Sequence, residues 1–159
     1  MDNNDNEFKE IIGRHKDFIW HICSSYRMGA AWEVSDLFQE VLTMLWRYYP
    51  QFDGRSSERT WIYRVATNTL LSLKRKVINL QDTNASIPEQ MDNNVNAECN
   101  DLMRLIEILE EKDYRIVKAH LDGFDYAEIA EMVGISVAAV SMRLSRAKRK
   151  LRKMYEYEK

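Results

Sequence analysis

Apolar positions along this chain recur at helical spacing wherever they recur regularly at all. Phe8, Ile11, Ile12, His15, Phe18, Ile19, Ile22 and Tyr26 fall near a ~3.6-residue period and define the apolar stripe of a first helix. A second helix, carrying Leu37, Val41, Met44, Leu45 and Trp46, runs through DLFQEVLTMLWRYY, with Ser35 as its expected N-cap and Pro50 as its stop. QFDGRSS then forms a loop around the Asp53-Gly54 turn signal. A third helix starts near Ser57 and continues through WIYRVATNTLLSLKRK.

There the period fails. Residues 79–100, NLQDTNASIPEQMDNNVNAECN, hold no aromatic residue and no sustained apolar pattern, and they are rich in Asn, Asp and Gln. Such a stretch lacks the apolar surface to order itself, and one this long is uncommon inside a compact domain, so it reads as a flexible linker. Four shorter helices follow. Leu102–Leu109 is the first, and Tyr114–Leu121, capped by Asp113 and closed near Gly123, is the second. The third, YAEIAEMV, opens on the capping pair Asp125 and Glu128. The last begins at a Ser136 cap after Gly134 and runs to about Met154. The expected fold is all-α, in two small helical domains, 7–77 and 101–155, joined by a linker over 78–100. With only five Gly and two Pro in 159 residues, composition agrees.

Charge adds what periodicity cannot show. The formal net charge is only -2, but its signs are segregated. Between Val77 and Lys112 there are eight acids against two bases, whereas Gly134 to Lys153 holds seven bases and no acid. Charge separated in this way implies a partner of opposite sign. The acidic stretch is also expected to shield the basic one in the free protein, in which case neutralising those acids tightens DNA binding.

The basic segment sits in YAEIAEMVGISVAAVSMRLSRAKRKL. Tyr126, Ile129, Ala130 and Val133 form a buried face, Gly134 permits the positive φ of a tight turn, and Ile135 plugs the corner. Val137, Val140, Leu144, Ala147 and Leu151 extend that core along the last helix. This is the pattern of a helix-turn-helix, whose second helix lies in the DNA major groove. The remaining positions, Ser136, Ala138, Ser141, Met142, Arg143, Ser145, Arg146, Lys148 and Arg149, then face outward as candidate DNA contacts. Small residues come first and phosphate-seeking bases after them.

Two other surfaces are less decided by the residues alone. The third helix interleaves Trp61, Tyr63, Arg64 and Asn68 with Lys74, Arg75 and Lys76, which suits single-stranded nucleic acid, but the aromatics fit a core equally well. On the second helix Asp36, Gln39 and Glu40 share one face beside Trp46, either as a protein-docking edge or as an ordinary solvated face. Neither Cys23 and Cys99 nor His15, His21 and Cys23 have disulfide or metal-ligand spacing, and Asp36 and Glu40 have no nucleophile or phosphate loop beside them. No catalytic residue, metal or cofactor is expected. The polar, acidic start MDNNDNEFKE is unlike a signal peptide and no apolar run nears the roughly 20 residues of a spanning helix, so a cytoplasmic, reducing location without membrane contact is expected.

Taken in order, these blocks resemble an extracytoplasmic-function (ECF) sigma factor, an initiation subunit of bacterial RNA polymerase. DLFQEVLTMLWRYYPQFDG is similar to the family's polymerase-binding segment, RTWIYRVATNTLLSLKRK to the segment that engages the promoter element nearer the start site, and the helix-turn-helix to the part that reads the upstream element. The resemblance implies a polymerase-docking set of Asp36, Leu37, Gln39, Glu40 and Trp46. It implies a melted-strand set of Phe52, Arg55, Trp61, Arg64, Asn68, Lys74, Arg75 and Lys76, with the loop Phe52 to Ser57 walling a pocket for an extruded base. On the last helix it turns Ser141, Met142, Ser145 and Arg146 to base edges and Arg143 and Lys148 to phosphates. Core RNA polymerase, promoter DNA as duplex and as melted strand, and an anti-sigma factor are the implied partners. Glu58 stands where the family often has an aromatic residue, and Thr67, Ser72 and Ser141 also depart from frequent family residues. A linker of 22 residues, fully extended, reaches about 75 Å, against ~34–36 Å per duplex turn, so both elements can be held at once. The alternative is a stand-alone helix-turn-helix regulator acting as a dimer on paired half-sites.

Overall fold

A computed structural model of the chain describes residues 3–26, 28, 32–81 and 97–158, with side chains to 80 and from 101 to 157. The described residues form seven α-helices and no strand: α1 (Asn3–Ser25), α2 (Val34–Tyr48), α3 (Glu58–Gln81), α4 (Ala97–Glu107), α5 (Glu111–Leu121), α6 (Tyr126–Val133) and α7 (Val137–Glu158), with a 3-10 turn at Tyr49–Gln51. The chain divides into two compact units, Met1–Met91 and Asp92–Lys159.

In the first unit α1, α2 and α3 each pack on the other two. Ile11, Ile19, Ile22 and Cys23 of α1 meet Leu37, Val41 and Leu45 of α2 and Ile62, Ala66 and Leu70 of α3 in the core, all buried. Each large aliphatic side chain removed from water in this way contributes ~1.5–3 kcal/mol. Burial pushes the Cys23 thiol up to about 12, so it behaves as a small apolar residue rather than a reactive one. Thr67, buried on α3, donates its hydroxyl hydrogen to the Tyr63 carbonyl at 2.8 Å.

In the second unit α7 packs on α4, α5 and α6. Its stripe Val140, Leu144, Ala147 and Leu151 is buried with Ile106, Ile116, Phe124 and Ile129. One buried ion pair accompanies this core: Lys118 Nζ lies 3.1 and 3.2 Å from the two carboxylate oxygens of Asp122, one turn on along the end of α5.

Several boundaries differ from the sequence expectation, each for a local reason. The N-cap of α2 is Glu33, not Ser35: the Asp36 carboxylate accepts from the Glu33 N–H at 3.4 Å, which starts the helix two residues earlier and leaves Ser35 exposed in its first turn. Glu110, not Asp113, caps α5, and Asp113 lies inside the first turn. α1 begins at Asn3, whose side-chain amide donates to Glu7 one turn later at 3.1 Å. α3 continues to Gln81 because no Gly or Pro occurs between Gly54 and Pro88, and α4 is already helical at Ala97. The expected linker is thereby narrowed at both ends, and its middle, residues 82–96, lies outside the described residues, as does any shielding by it. α7 runs to Glu158 rather than Met154, with Met154 and Tyr155 half-buried and so still packing beyond the basic run.

Candidate nucleic-acid and protein interfaces

The turn before α7 is built almost wholly from its neighbours in sequence. Asp125 and Glu128 cap α6 reciprocally, each carboxylate accepting the other's backbone N–H at 2.8 Å. At the other end Gly134 adopts φ 76°, in the left-handed region, and the N–H groups of Gly134 and Ile135 both donate to the Ala130 carbonyl at 2.9 and 3.2 Å. The Ser136 hydroxyl then accepts from the Ala139 N–H at 3.1 Å and opens α7. Ile135 at the corner is half-buried, as are Tyr126 and Val133, while Ile129 and Ala130 are buried.

With the Val140 stripe inside, Ala138, Ser141, Met142, Ser145 and Arg149 occupy one exposed face of α7 at i, i+3, i+4, i+7 and i+11, flanked by exposed Arg146 and Lys148. Ser136 is exposed at the head of that face. Arg152, also exposed, continues the same row and was missed by the sequence reading, although its i+3 spacing from Arg149 marks it. One expectation fails here. Val137 is 49% exposed and lies off the core stripe. Arg143 Nη1 lies 3.2 Å from Asp113 Oδ1, an ion pair between α7 and α5 that leaves its side chain 36% exposed. Because Glu110 takes the cap of α5, the Asp113 carboxylate is available for this pairing.

In the first unit Asp36, Gln39, Glu40, Thr43 and Arg47 form an exposed row along α2, with Trp46 beside it. Trp46 is 47% exposed and, with Asp5, Phe8 and Lys9, lines a shallow groove. Phe8 was assigned only to the core, but its ring lies edge-on to Trp46 at 5.0 Å. Leu37, expected in the docking set, is 2% exposed and is a core residue, since α2 turns the 37, 41, 45 row inward.

The loop after α2 is held at both ends. Phe52 packs on Trp61 with ring centroids 4.8 Å apart, and Tyr49 meets Trp61 edge-on at 6.2 Å and Phe8 at 5.3 Å. Trp61 is therefore half-buried, neither core nor a free stacking platform. Gly54 takes φ 75°, and Asp53 accepts from the Arg55 N–H at 3.0 Å while its other oxygen pairs with the highly exposed Arg55 guanidinium. Ser57 caps α3, its hydroxyl oxygen accepting the Thr60 N–H at 3.1 Å and its hydroxyl hydrogen going to Thr60 Oγ1. Arg64, Asn68, Ser72, Arg75 and Lys76 follow as an exposed row on α3, with Lys74 half-buried. Tyr63 is buried.

Sequence reasoning missed a cluster at the start of α3. Glu58 Oε1 lies 2.7 Å from Arg14 Nη2 and Glu58 Oε2 lies 2.9 Å from His15 Nε2, so both carboxylate oxygens are used across α1 and α3. Partial burial pushes this carboxyl up, but the hydrogen bonds and charges of Arg14 and His15 outweigh it and hold the carboxyl below its usual value. No helix among the described residues is long and apolar enough to cross a membrane.

Comparison with known proteins agrees with this geometry. Residues 11–77 match the Sigma-70 region 2 family model and residues 99–151 the Sigma-70 region 4 model. The ECF RNA polymerase sigma factor SigW of Bacillus subtilis is 25% identical over 165 residues, covering 92% of this chain and 87% of SigW. SigG of Mycobacterium tuberculosis, also an ECF sigma factor, is 50% identical over 48 residues, but the match spans 30% of this chain and 13% of SigG. The fold matches that of the sigma factor RpoE from Bartonella quintana, solved with the anti-sigma factor NepR, at TM-score 0.67 and 20% identity over 96% of this chain and 99% of RpoE. Two region models in the expected order, together with an ECF relative matched over nearly its whole length, show that the chain belongs to the sigma-70 family, in its extracytoplasmic-function group.

Proposed function

We propose that the protein is a cytoplasmic, non-enzymatic initiation factor that binds core RNA polymerase and directs it to a class of promoters. The observation that carries this reading is the pairing, in one chain, of a region 2 match over 11–77 with a region 4 match that ends on the acid-free part of α7. The α2 row of Asp36, Gln39 and Glu40 with Trp46 is the surface offered to polymerase. Leu37 supports it from within.

The loop from Phe52 to Ser57, with Arg55, Arg64, Asn68 and the Lys74-Arg75-Lys76 group, engages the strand as it opens. An extruded base would meet the edge of the Phe52–Trp61 pair, while the α3 cations track phosphates. The exposed face of α7 reads the upstream element, with Ser141, Met142 and Ser145 near base edges and Arg146, Lys148, Arg149 and Arg152 supplying charge. Ser and Met discriminate less than a bidentate arginine, which is worth ~1–3 kcal/mol on the correct base. Specificity therefore rests on both elements being bound together, each raising the effective concentration of the other. An anti-sigma factor, as RpoE has in NepR, is the partner expected to occlude these surfaces.

The test is run-off transcription with purified protein, bacterial core polymerase and fragmented genomic DNA from the source organism. Discrete transcripts that depend on the added protein are expected, and their start sites define the promoter. No specific initiation, combined with a shift of duplex DNA by the protein alone, would assign it instead to self-sufficient regulators.

A further inference from the structure

Three side chains of α1 that belong to none of the interfaces described above converge on the exit of the strand-engaging loop. The exit of that loop is Ser57, and the next residue, Glu58, is gripped by Arg14 at 2.7 Å and His15 at 2.9 Å, residues 44 and 43 positions earlier. One residue on, the Arg59 guanidinium lies over the Phe18 ring of α1, 4.9 Å from its centroid. Thus α1 holds the first turn of α3 by residues 14, 15 and 18, at the point where the loop ends. The entrance is held independently, by Phe52 on Trp61.

The three-helix core does not need this contact. Its apolar stripes are buried without it, and an ion pair with side chains 53% and 33% exposed adds little to stability. What the contact does control is position. A six-residue loop pinned at its entrance by a ring pair, and at its exit by a two-pronged carboxylate, has little freedom left in its span. Such support decides whether binding groups sit at productive geometry.

We propose that Arg14 and His15, acting through Glu58, are positioning residues that set the Phe52 to Ser57 loop for capture of the opening promoter strand. The proposal rests on the functional reading above. It also gives a role to Glu58, which departs from the family's frequent aromatic residue, and to His15, which periodicity assigned to the apolar stripe.

The experiment compares wild-type and Glu58→Ala holoenzymes on two templates: the duplex promoter mapped by run-off, and the same fragment with the proximal element pre-melted by mismatches. Initiation is followed on each template by the rate at which abortive transcripts appear. On duplex, Glu58→Ala is expected to lower the rate about tenfold or more, while the pre-melted template restores it to within about twofold of wild type because strand capture is no longer the limiting step. The reversed pair Arg14→Glu with Glu58→Arg should recover much of the duplex rate. Should Glu58→Ala fold poorly, the near-isosteric Glu58→Gln is read in the same assay. Unchanged duplex rates overturn the proposal, and so does an equal loss on both templates, which would make the clamp merely structural. If wild-type protein itself supports no initiation on either template, the sigma-factor reading fails and the positioning role fails with it.

Discussion

In the C-terminal unit, the groups that shape the exposed face of α7 are fixed by residues three to five positions away. The Asp125–Glu128 box and the Ser136 cap each span three residues, and the Gly134 turn closes on Ala130. The N-terminal unit works the other way. Its loop is positioned by contacts whose partners lie 42 to 44 residues apart, Tyr49 with Glu7 and Glu58 with Arg14 and His15, and by rings drawn from α1, α2, the 3-10 turn and α3. A local device survives wherever its helix forms. A device assembled from three helices exists only once the helices are packed, so its geometry answers to every contact in the core.

Four substitutions test that contrast, in descending order of effect. Trp61→Ala should cost most, about 2–3 kcal/mol, below the ~3–5 kcal/mol of a fully buried aromatic truncation since the ring is half-buried. It removes the shared partner of Phe52 and Tyr49, and urea unfolding should register the loss, with Trp61→Phe retaining most of it. A loss below ~1 kcal/mol would mean the loop does not depend on the aromatic cluster. Gly134→Ala comes next, about 1–2 kcal/mol. A Cβ there meets nothing within 4 Å, so the whole effect is backbone strain at positive φ, and Gly134→Asn should cost less. A neutral Gly134→Ala in the same unfolding experiment would show that the turn is not held left-handed.

Asp125→Ala removes one cap and should cost ~1 kcal/mol, whereas Asp125→Ser should be nearly silent, measured by thermal melting. The smallest effect belongs to Glu58→Gln and depends on pH. The Glu58 carboxyl is held below its usual value by Arg14 and His15, with Tyr49 nearby. Its contribution is therefore complete above the ordinary glutamate range of ~4.3 and lost as pH falls through the lower folded value. The wild-type advantage in melting midpoint should vanish in acid, and it should be under ~1 kcal/mol because the pair is partly solvated. An advantage undiminished at the acid end of the series would contradict the ion pair.

The same contrast explains what could be read in advance. Tyr126 to Leu151 was legible nearly residue by residue, because capping pairs, a turn glycine and a 3.6-residue stripe are local rules. The misplaced member is Val137, 49% exposed at the first position of α7, and the Arg143–Asp113 pair, 30 positions apart, was not announced by any local rule. The exposed row on α2 was equally visible from spacing, but Leu37 was counted with it although its register points into the core. His15 could be placed on the apolar stripe, yet nothing near it in sequence announces Glu58.

The order of helices, the two-part organisation, the helix-turn-helix and the segregation of charge are properties of the sequence alone. They depend on periodicity, caps and breakers whose range is a turn or two. Only packing decided that Trp61 is a prop between Phe52 and Tyr49, that Arg143 pairs with Asp113, and that Arg14, His15 and Glu58 form one cluster. Those contacts join residues 9 to 44 positions apart, and no pattern of one helical turn carries information about which distant side chain will arrive beside it.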